Sequence, residues 1–166
     1  LAVLKSLILT QGKIALLDDE DWERLACYNW CAWNSGATWY AETRVGKRIL
    51  FLHYAVMNTW PVKGRYIDHK DRDGLNNQRE NLRWCTGSQN QANRCIINLS
   101  SGYKGVYWDN PTNSWRAKIG FKNRTIHIGR FKTAVEAANA YDTKAVELFG
   151  EYALTNCMLK EAGLVA

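Results

Sequence analysis

The chain predicts an α+β fold: a strand–loop–strand–helix unit, then a three-stranded antiparallel sheet packed on one helix. Three observations carry this. Apolar residues make up 46% of the 166, with 8 Trp, 8 Tyr and only 2 Pro, so the chain has a core to bury. Strand-length runs rich in aromatic and β-branched residues are separated by turns built on Gly and Asn. The stretch from Thr133 to Gly150 carries a capping box at one end, a glycine at the other and apolar residues at helical spacing between.

Residues 1–60 are expected as an α+β lead-in region. Ile8-Leu9 and Ile14 to Leu17 flank a Gln11-Gly12-Lys13 turn. Asp18 to Asp21 precede Trp22, Leu25 and Ala26, which predicts a short helix over about 19–26, because Asp caps free N–H groups and suits the positive end of the helix dipole. Trp30 to Tyr40 and Arg44 to Leu52 read as strands around the turns Asn34-Ser35-Gly36 and Val45-Gly46-Lys47. His53 to Asn58 reads as a short helix stopped by Trp60-Pro61.

Residues 61–98 form the second segment. A strand from Tyr66 to His69 enters a loop dense in turn residues, Asp71 to Asn77, and a second strand, Leu82 to Cys85, leaves it. Ser88-Gln89-Asn90-Gln91 resembles a capping box and predicts a polar helix to about Ile97. Beyond the linker at 98–102, residues 103–157 supply strands at Tyr103–Trp108, Ser114–Phe121 and Thr125–Phe131. The capped helix follows, with Val135, Ala138, Tyr141, Ala145 and Leu148 as its apolar face. Residues 158–166 read as a frayed tail.

The charge is unevenly placed. Lys and Arg total 22 against 16 Asp and Glu, and residues 1–60 are neutral. Residues 101–132 hold seven basic side chains (Lys104, Arg116, Lys118, Lys122, Arg124, Arg130, Lys132) and one acid, Asp109. Tyr103, Tyr107, Trp108, Trp115, Phe121 and His127 lie among them. A basic stretch with interleaved aromatics is the footprint of a nucleic-acid surface; a solvated strand face is the plainer alternative. No apolar run approaches the roughly 18 residues of a membrane span. The first residues lack a secretory pattern and an initiator Met, which predicts a trimmed terminus. Five cysteines with no CxxC pair argue against a disulfide framework and for a reduced, intracellular protein, with Cys27, Cys31, Cys85 and Cys95 as buried structural thiols.

Asp68-His69 places a hard oxygen ligand beside a titratable base at the end of a strand. Alone, such a pair is more often a surface acid and an ordinary histidine. The spacing to Asn81 at the loop exit and Asn90 on the following helix changes the reading. If the helix packs across the hairpin, Asp68 and Asn90 can share one cation, with His69 facing a phosphate.

Val62 to Arg94, with DHKDRDGLNNQRENLRWCTGSQNQANR at its heart, resembles the HNH (ββα-metal) endonuclease motif of phage homing enzymes. The resemblance implies that Asp68 and Asn90 bind a divalent metal, that His69 is the general base, and that Asn81 holds the loop and helps orient His69. Asn stands where many members have His, and an amide oxygen suits Mg²⁺ or Mn²⁺ better than zinc. The segment YKGVYWDNPTNSWRAKIGFKNRTIHIGRFKTAVEAANAYDTKAVELFGEYALTN resembles the plant ethylene-response-factor (Apetala-type) DNA-binding domain. That resemblance implies a sheet lying in the DNA major groove, with Lys104, Tyr107, Lys118, Thr125, His127 and Arg130 at contact positions; Arg116 and Arg124 join them on charge. Gly129, Ala137 and Ala138 are expected as packing positions. Together the resemblances imply a Mg²⁺- or Mn²⁺-dependent endonuclease on double-stranded DNA. It would be a monomer or weak dimer that nicks one strand, encoded by a phage or mobile element and acting in the host cytoplasm. The rival reading is a DNA-binding regulator that has lost cleavage.

Overall fold

The computed structural model describes residues 4–165, which form two compact units divided between Thr86 and Gly87. In the first, β1 (Leu4–Ile8) and β2 (Ile14–Asp18) make an antiparallel hairpin, and α1 (Asp19–Leu25) follows directly. Asp19, Glu20 and Asp21 occupy its first turn, as the dipole favours. A three-stranded antiparallel sheet comes next: β3 (Cys31–Asn34), β4 (Trp39–Val45) and β5 (Arg48–Phe51), in the order β3-β4-β5. The turn between β3 and β4 is built as its residues suggest, with the Gly36 N–H donating to Asn34 Oδ1 at 2.7 Å. The short helix α2 (Leu52–Val56) leads to the hairpin β6 (Tyr66–His69) and β7 (Leu82–Cys85). Leu17, Leu52 and Val56 are fully enclosed in a core with Trp30, Ile67 and Leu82.

The second unit begins with α3 (Gly87–Asn93). It continues as the sheet β8 (Val106–Asp109), β9 (Ser114–Phe121) and β10 (Arg124–Phe131), then α4 (Ala134–Phe149) and α5 (Asn156–Glu161). The sheet order is β10-β9-β8, all antiparallel. Thr133 and Glu136 form the expected capping box on α4, and Gly150 ends it with φ +53°. The buried face of α4 is Ala137, Ala138, Tyr141, Ala145 and Phe149, packed against Val106, Ala117 and Ile119; Val135 is exposed. Gly105 is obligatory here: its φ is +74°, and a Cβ would lie 2.1 Å from the Tyr141 ring. At Gly129 a Cβ would press on Phe131.

Four expectations are corrected. Ser88 lies inside α3 rather than at its N-cap, and its hydroxyl accepts the Lys122 N–H at 3.2 Å. The helix stops at Asn93, short of Ile97, because the Ala92 carbonyl is taken by the Leu154 N–H (3.2 Å) and by the Lys104 ammonium. Residues 158–166 are not simply a frayed tail. Thr155 caps α5, accepting the Met158 N–H, and Leu159 is fully buried. The cysteines differ as well: all five are free, but only Cys85 is buried, while Cys27, Cys31, Cys95 and Cys157 are exposed.

Candidate active site and nucleic-acid surface

The β6–β7 register sets Asp68 opposite Arg83 and His69 opposite Leu82. Asp68 and His69 are 6% and 5% exposed, which removes the surface-pair reading. A buried carboxylate needs a counter-charge. Arg83 supplies it, with Nε at 3.0 Å and a terminal nitrogen at 2.9 Å from Asp68 Oδ2.

His69 Nε2 lies 3.3 Å from Asn77 Oδ1. Asn77 is fully buried, and its Nδ2 donates to the Gly74 carbonyl at 3.4 Å, so the oxygen of its amide faces the imidazole. An amide oxygen only accepts; Nε2 therefore carries the proton and the lone pair sits on Nδ1. Burial is the largest influence on the His69 pKa and lowers it. The Asn77 bond and the charges of Asp71, Asp68 and Asp73 oppose that shift without reversing it. Burial thus favours the uncharged ring.

Asn81 orders the loop. Its Nδ2 donates to Asp71 Oδ1 (2.9 Å) and to the Asn76 carbonyl (2.8 Å), and its Oδ1 accepts the Asp71 N–H (3.1 Å). Outer anchors complete the job. The Asn77 N–H donates to the Leu16 carbonyl and the Leu16 N–H to the Leu75 carbonyl, both at 2.8 Å. Arg79 grips the buried Asp21 with Nε at 2.7 Å and a terminal nitrogen at 2.8 Å. Gly74 passes so close to β4 that a Cβ would lie 2.4 Å from the Trp39 carbonyl oxygen. Asn77, the residue facing His69 Nε2, was grouped with its neighbours by sequence reasoning; the LNN run was the available signal.

His53, on α2, stands behind the base. It is 7% exposed, its ring centroid lies 5.1 Å from that of His69 at 79°, and it stacks on Phe51 at 5.6 Å and 18°. Burial first, and repulsion from His69 second, hold its pKa well below the usual histidine range. Asn90 is half-buried on α3, the first element of the second unit.

In the second unit, Arg116 pairs with Tyr107 and Arg130 across the strands, Lys118 with His127, and Gly120 with Thr125. Alternation along β9 sends Ala117 and Ile119 to the helix, so Tyr107, Arg116, Lys118, Thr125, His127 and Arg130 share the face away from α4. Lys118 Nζ sits 4.1 Å above the Tyr107 ring, and Arg130 Nε reaches Asp109 Oδ2 at 3.3 Å. The Arg116 Nε is buried without a hydrogen-bond partner. Two predicted contacts fall off this face. Lys104 is 6% exposed, its ammonium donating to the Ala92 carbonyl and, at 3.2 Å, to that of Leu154. Arg124 registers with Phe121, on the helix side, at the β9–β10 turn.

The chain is 31% identical over 148 residues to an uncharacterized HNH endonuclease of Acanthamoeba polyphaga mimivirus, covering 88% of this chain and 76% of that protein. A family model for HNH endonuclease matches residues 58–92. The chain belongs to the HNH endonuclease family. This HNH endonuclease also carries an AP2 domain, matched over residues 101–151. There it is 41% identical over 58 residues to an ethylene-responsive transcription factor of Arabidopsis thaliana and 39% over 59 to an AP2-like ethylene-responsive transcription factor of Oryza sativa subsp. japonica. Those stretches are 34% of this chain and 14% and 9% of the plant proteins, so the likeness is to one domain of each. No solved structure matches.

HNH endonucleases are divalent-metal-dependent enzymes. Among the described residues no group of three or more His, Cys, Asp and Glu could hold a metal. The carboxylate of Asp68 is nonetheless a donor suited to a hard cation that keeps most of its coordination for water and phosphate. Arg83 on Asp68 Oδ2 limits the negative charge such a site offers.

Proposed function

We propose that the chain hydrolyses DNA phosphodiester bonds one strand at a time, with His69 as general base and the exposed face of the AP2-type sheet as its grip on double-stranded DNA. The observation that supports this most strongly is the setting of His69: a buried imidazole at the end of β6, next to Asp68, with its Nε2 3.3 Å from Oδ1 of the buried Asn77. The water's proton goes to Nδ1 and its oxygen forms the new bond to phosphorus. The bond to the 3′ oxygen breaks as that bond forms, and the departing oxygen takes a proton from solvent water, giving a 5′-phosphate and a 3′-hydroxyl, while His69 returns its proton to solvent. Asp68 is the residue of the first unit that would hold Mg²⁺ or Mn²⁺, an ion that when bound would supply positive charge to the scissile phosphate and the departing oxygen. One such centre cuts one strand per engagement, so a double-strand break requires two chains or two encounters. The relationship to a viral HNH endonuclease supports a mobile-element origin and action inside a host cell.

The test is a nicking assay on supercoiled plasmid with Mg²⁺, with Mn²⁺ and with EDTA, using the intact chain and His69→Ala. The variant should lose at least roughly 100-fold in cleavage rate, a typical general-base contribution, while its DNA affinity stays within about twofold. Binding without metal-dependent nicking in the intact chain would favour a regulator instead.

A further inference from the structure

We propose that the outer face of the β3–β5 sheet is a second contact with the substrate: an aromatic ledge on which Trp33 stacks a nucleobase lifted out of the duplex beside the scissile phosphate. The inference rests on the reading of Asp68 and His69 as the cleavage site and deepens it. It names the form of substrate cut most readily, DNA with an unstacked base near the cleavage point. Trp33 lies outside the matched HNH stretch of residues 58–92.

Register assembles the ledge. Ala32 pairs with Ala41 and both are buried in the core, so the next pair, Trp33 and Tyr40, points to the opposite face; Phe51, in register with Glu42, joins them. The three rings meet at 5.7 to 6.1 Å, yet Trp33 is 43% exposed. A single exposed ring is ordinary on a protein surface, but this one is the open end of a series that finishes in the site. Tyr40 lies 6.0 Å from Trp33 and 5.8 Å from His69, and the β6–β7 loop closes on it at Gly74, where a Cβ would come within 2.6 Å of the Tyr40 ring. Two such steps span about three nucleotides at roughly 3.4 Å each, so a base on Trp33 belongs to the strand held at His69.

The charge suits a strand too. Residues 1–60 are neutral in sum, but five of their six acids fall between 18 and 23, where Lys5 and Arg79 engage Asp19, Glu20 and Asp21. Residues 31–51 hold Arg44, Lys47 and Arg48 against one acid, the half-buried Glu42. Arg44 is exposed on the ledge's own face, and Arg48 stacks on Trp60 at 4.0 Å. An aromatic face beside cations that follow a backbone binds unpaired bases without reading them. Lifting a base out of a duplex costs least where it is mispaired or already single-stranded.

The experiment compares the full chain with Trp33→Ala, Trp33→Phe and Arg44→Gln. In EDTA it measures affinity for a thymidine strand of about 20 nucleotides and for an abasic strand of the same length, which keeps the phosphates and loses the bases. The intact chain should bind the thymidine strand about tenfold more tightly, an ordinary worth of stacking. Trp33→Ala should bind both alike, and Trp33→Phe should keep most of the difference. Arg44→Gln should weaken both and lower the salt slope by about 0.7, the value for one phosphate of a single strand. With Mg²⁺, the intact chain should nick a duplex carrying a short mismatched stretch beside the mapped cleavage point at lower KM than the perfect duplex, and Trp33→Ala should lose that preference. Should Trp33→Ala not fold by thermal unfolding, Trp33→Gln keeps bulk without the ring and takes its place. A Trp33→Ala chain that still prefers the thymidine strand, or still prefers the mismatched duplex, overturns the proposal. So does an intact chain that sediments as a dimer and a Trp33→Ala chain that sediments as a monomer with unchanged affinity for both strands, since the ledge would then join two copies. If the intact chain nicks neither duplex, the cleavage reading has failed; the comparison of strands in EDTA decides the ledge independently.

Discussion

Burial sets the state of both imidazoles before any partner does: His53 and His69 each have their pKa pulled below 6.5 by loss of water. An unfolded chain takes up those protons at about pH 6.5, and the folded chain does so only at lower pH. The stability gained by keeping them neutral is therefore complete above about pH 6.5 and is lost as pH falls through the folded values. Unfolding by urea at pH 7.5, 6.5 and 5.5 should show stability dropping over that range. The drop should be shallower in His53→Phe, which has one fewer proton to exclude. Asn77 governs the other nitrogen of the base. Asn77→Ala should lower nicking about 10–100-fold, measured as kcat at saturating DNA, because the imidazole loses the partner that orients it through Nε2. The pairing of acid and base was legible from Asp68-His69 and the surrounding motif. Asn77 was not, since Asn76 and Asn77 look alike on paper. Which one turns inward is decided by Gly74 and by Leu16, more than fifty residues away in the chain.

At the scale of elements, the loop between β6 and β7 is held by side chains rather than by a core. Asp71, Asp73, Asn76 and Asn81 satisfy its backbone and one another, and Arg79 ties its exit to α1 through Asp21. Asn81→Ala should cut nicking while moving the Mg²⁺ concentration for half-maximal activity little. Asp68→Ala should raise that concentration the most, as the one charged ligand proposed. Metal titrations of the two variants side by side check the contrast. Asp21→Ala should destabilise by about 2 kcal/mol in urea unfolding: Asp21 is 1% exposed, but its partners Arg24 and Arg79 remain nearly half open to water. Periodicity and turn chemistry were enough to place most of these elements, including the β3–β5 turns and the capped α4. They could not place the end of α3, because it depends on Leu154 and Lys104 meeting the Ala92 carbonyl from far along the chain; α5 was missed although its cap, Thr155 on Met158, is local.

At the scale of the whole molecule, the charge asymmetry that first pointed to nucleic acid has to be divided between surface and core. Of the basic residues of 101–132, Arg116, Lys118 and Arg130 stand on the sheet face away from α4, whereas Lys104 spends its ammonium on the carbonyls of Ala92 and Leu154. Composition could not separate them, because a lysine counts the same on either side of a sheet. Salt separates them. Binding to phosphates releases counterions, so the logarithm of affinity falls with the logarithm of salt by roughly 0.9 for each contact. Neutralising Arg116, Lys118 or Arg130 with Gln should lower that slope by about 1 for each residue that touches phosphate, and weaken all sequences alike; one that reads a guanine edge should instead cost about 1–3 kcal/mol on the preferred site alone. Lys104→Met should leave the slope where it was and lower the stability of the second unit by about 1–3 kcal/mol, since two buried carbonyls lose a donor. Affinities measured across 50–300 mM salt, paired with thermal unfolding of the same variants, check both halves. A Lys104→Met chain that unfolds as the intact chain does but has lost a unit of slope would return Lys104 to the DNA face and undo the division made here.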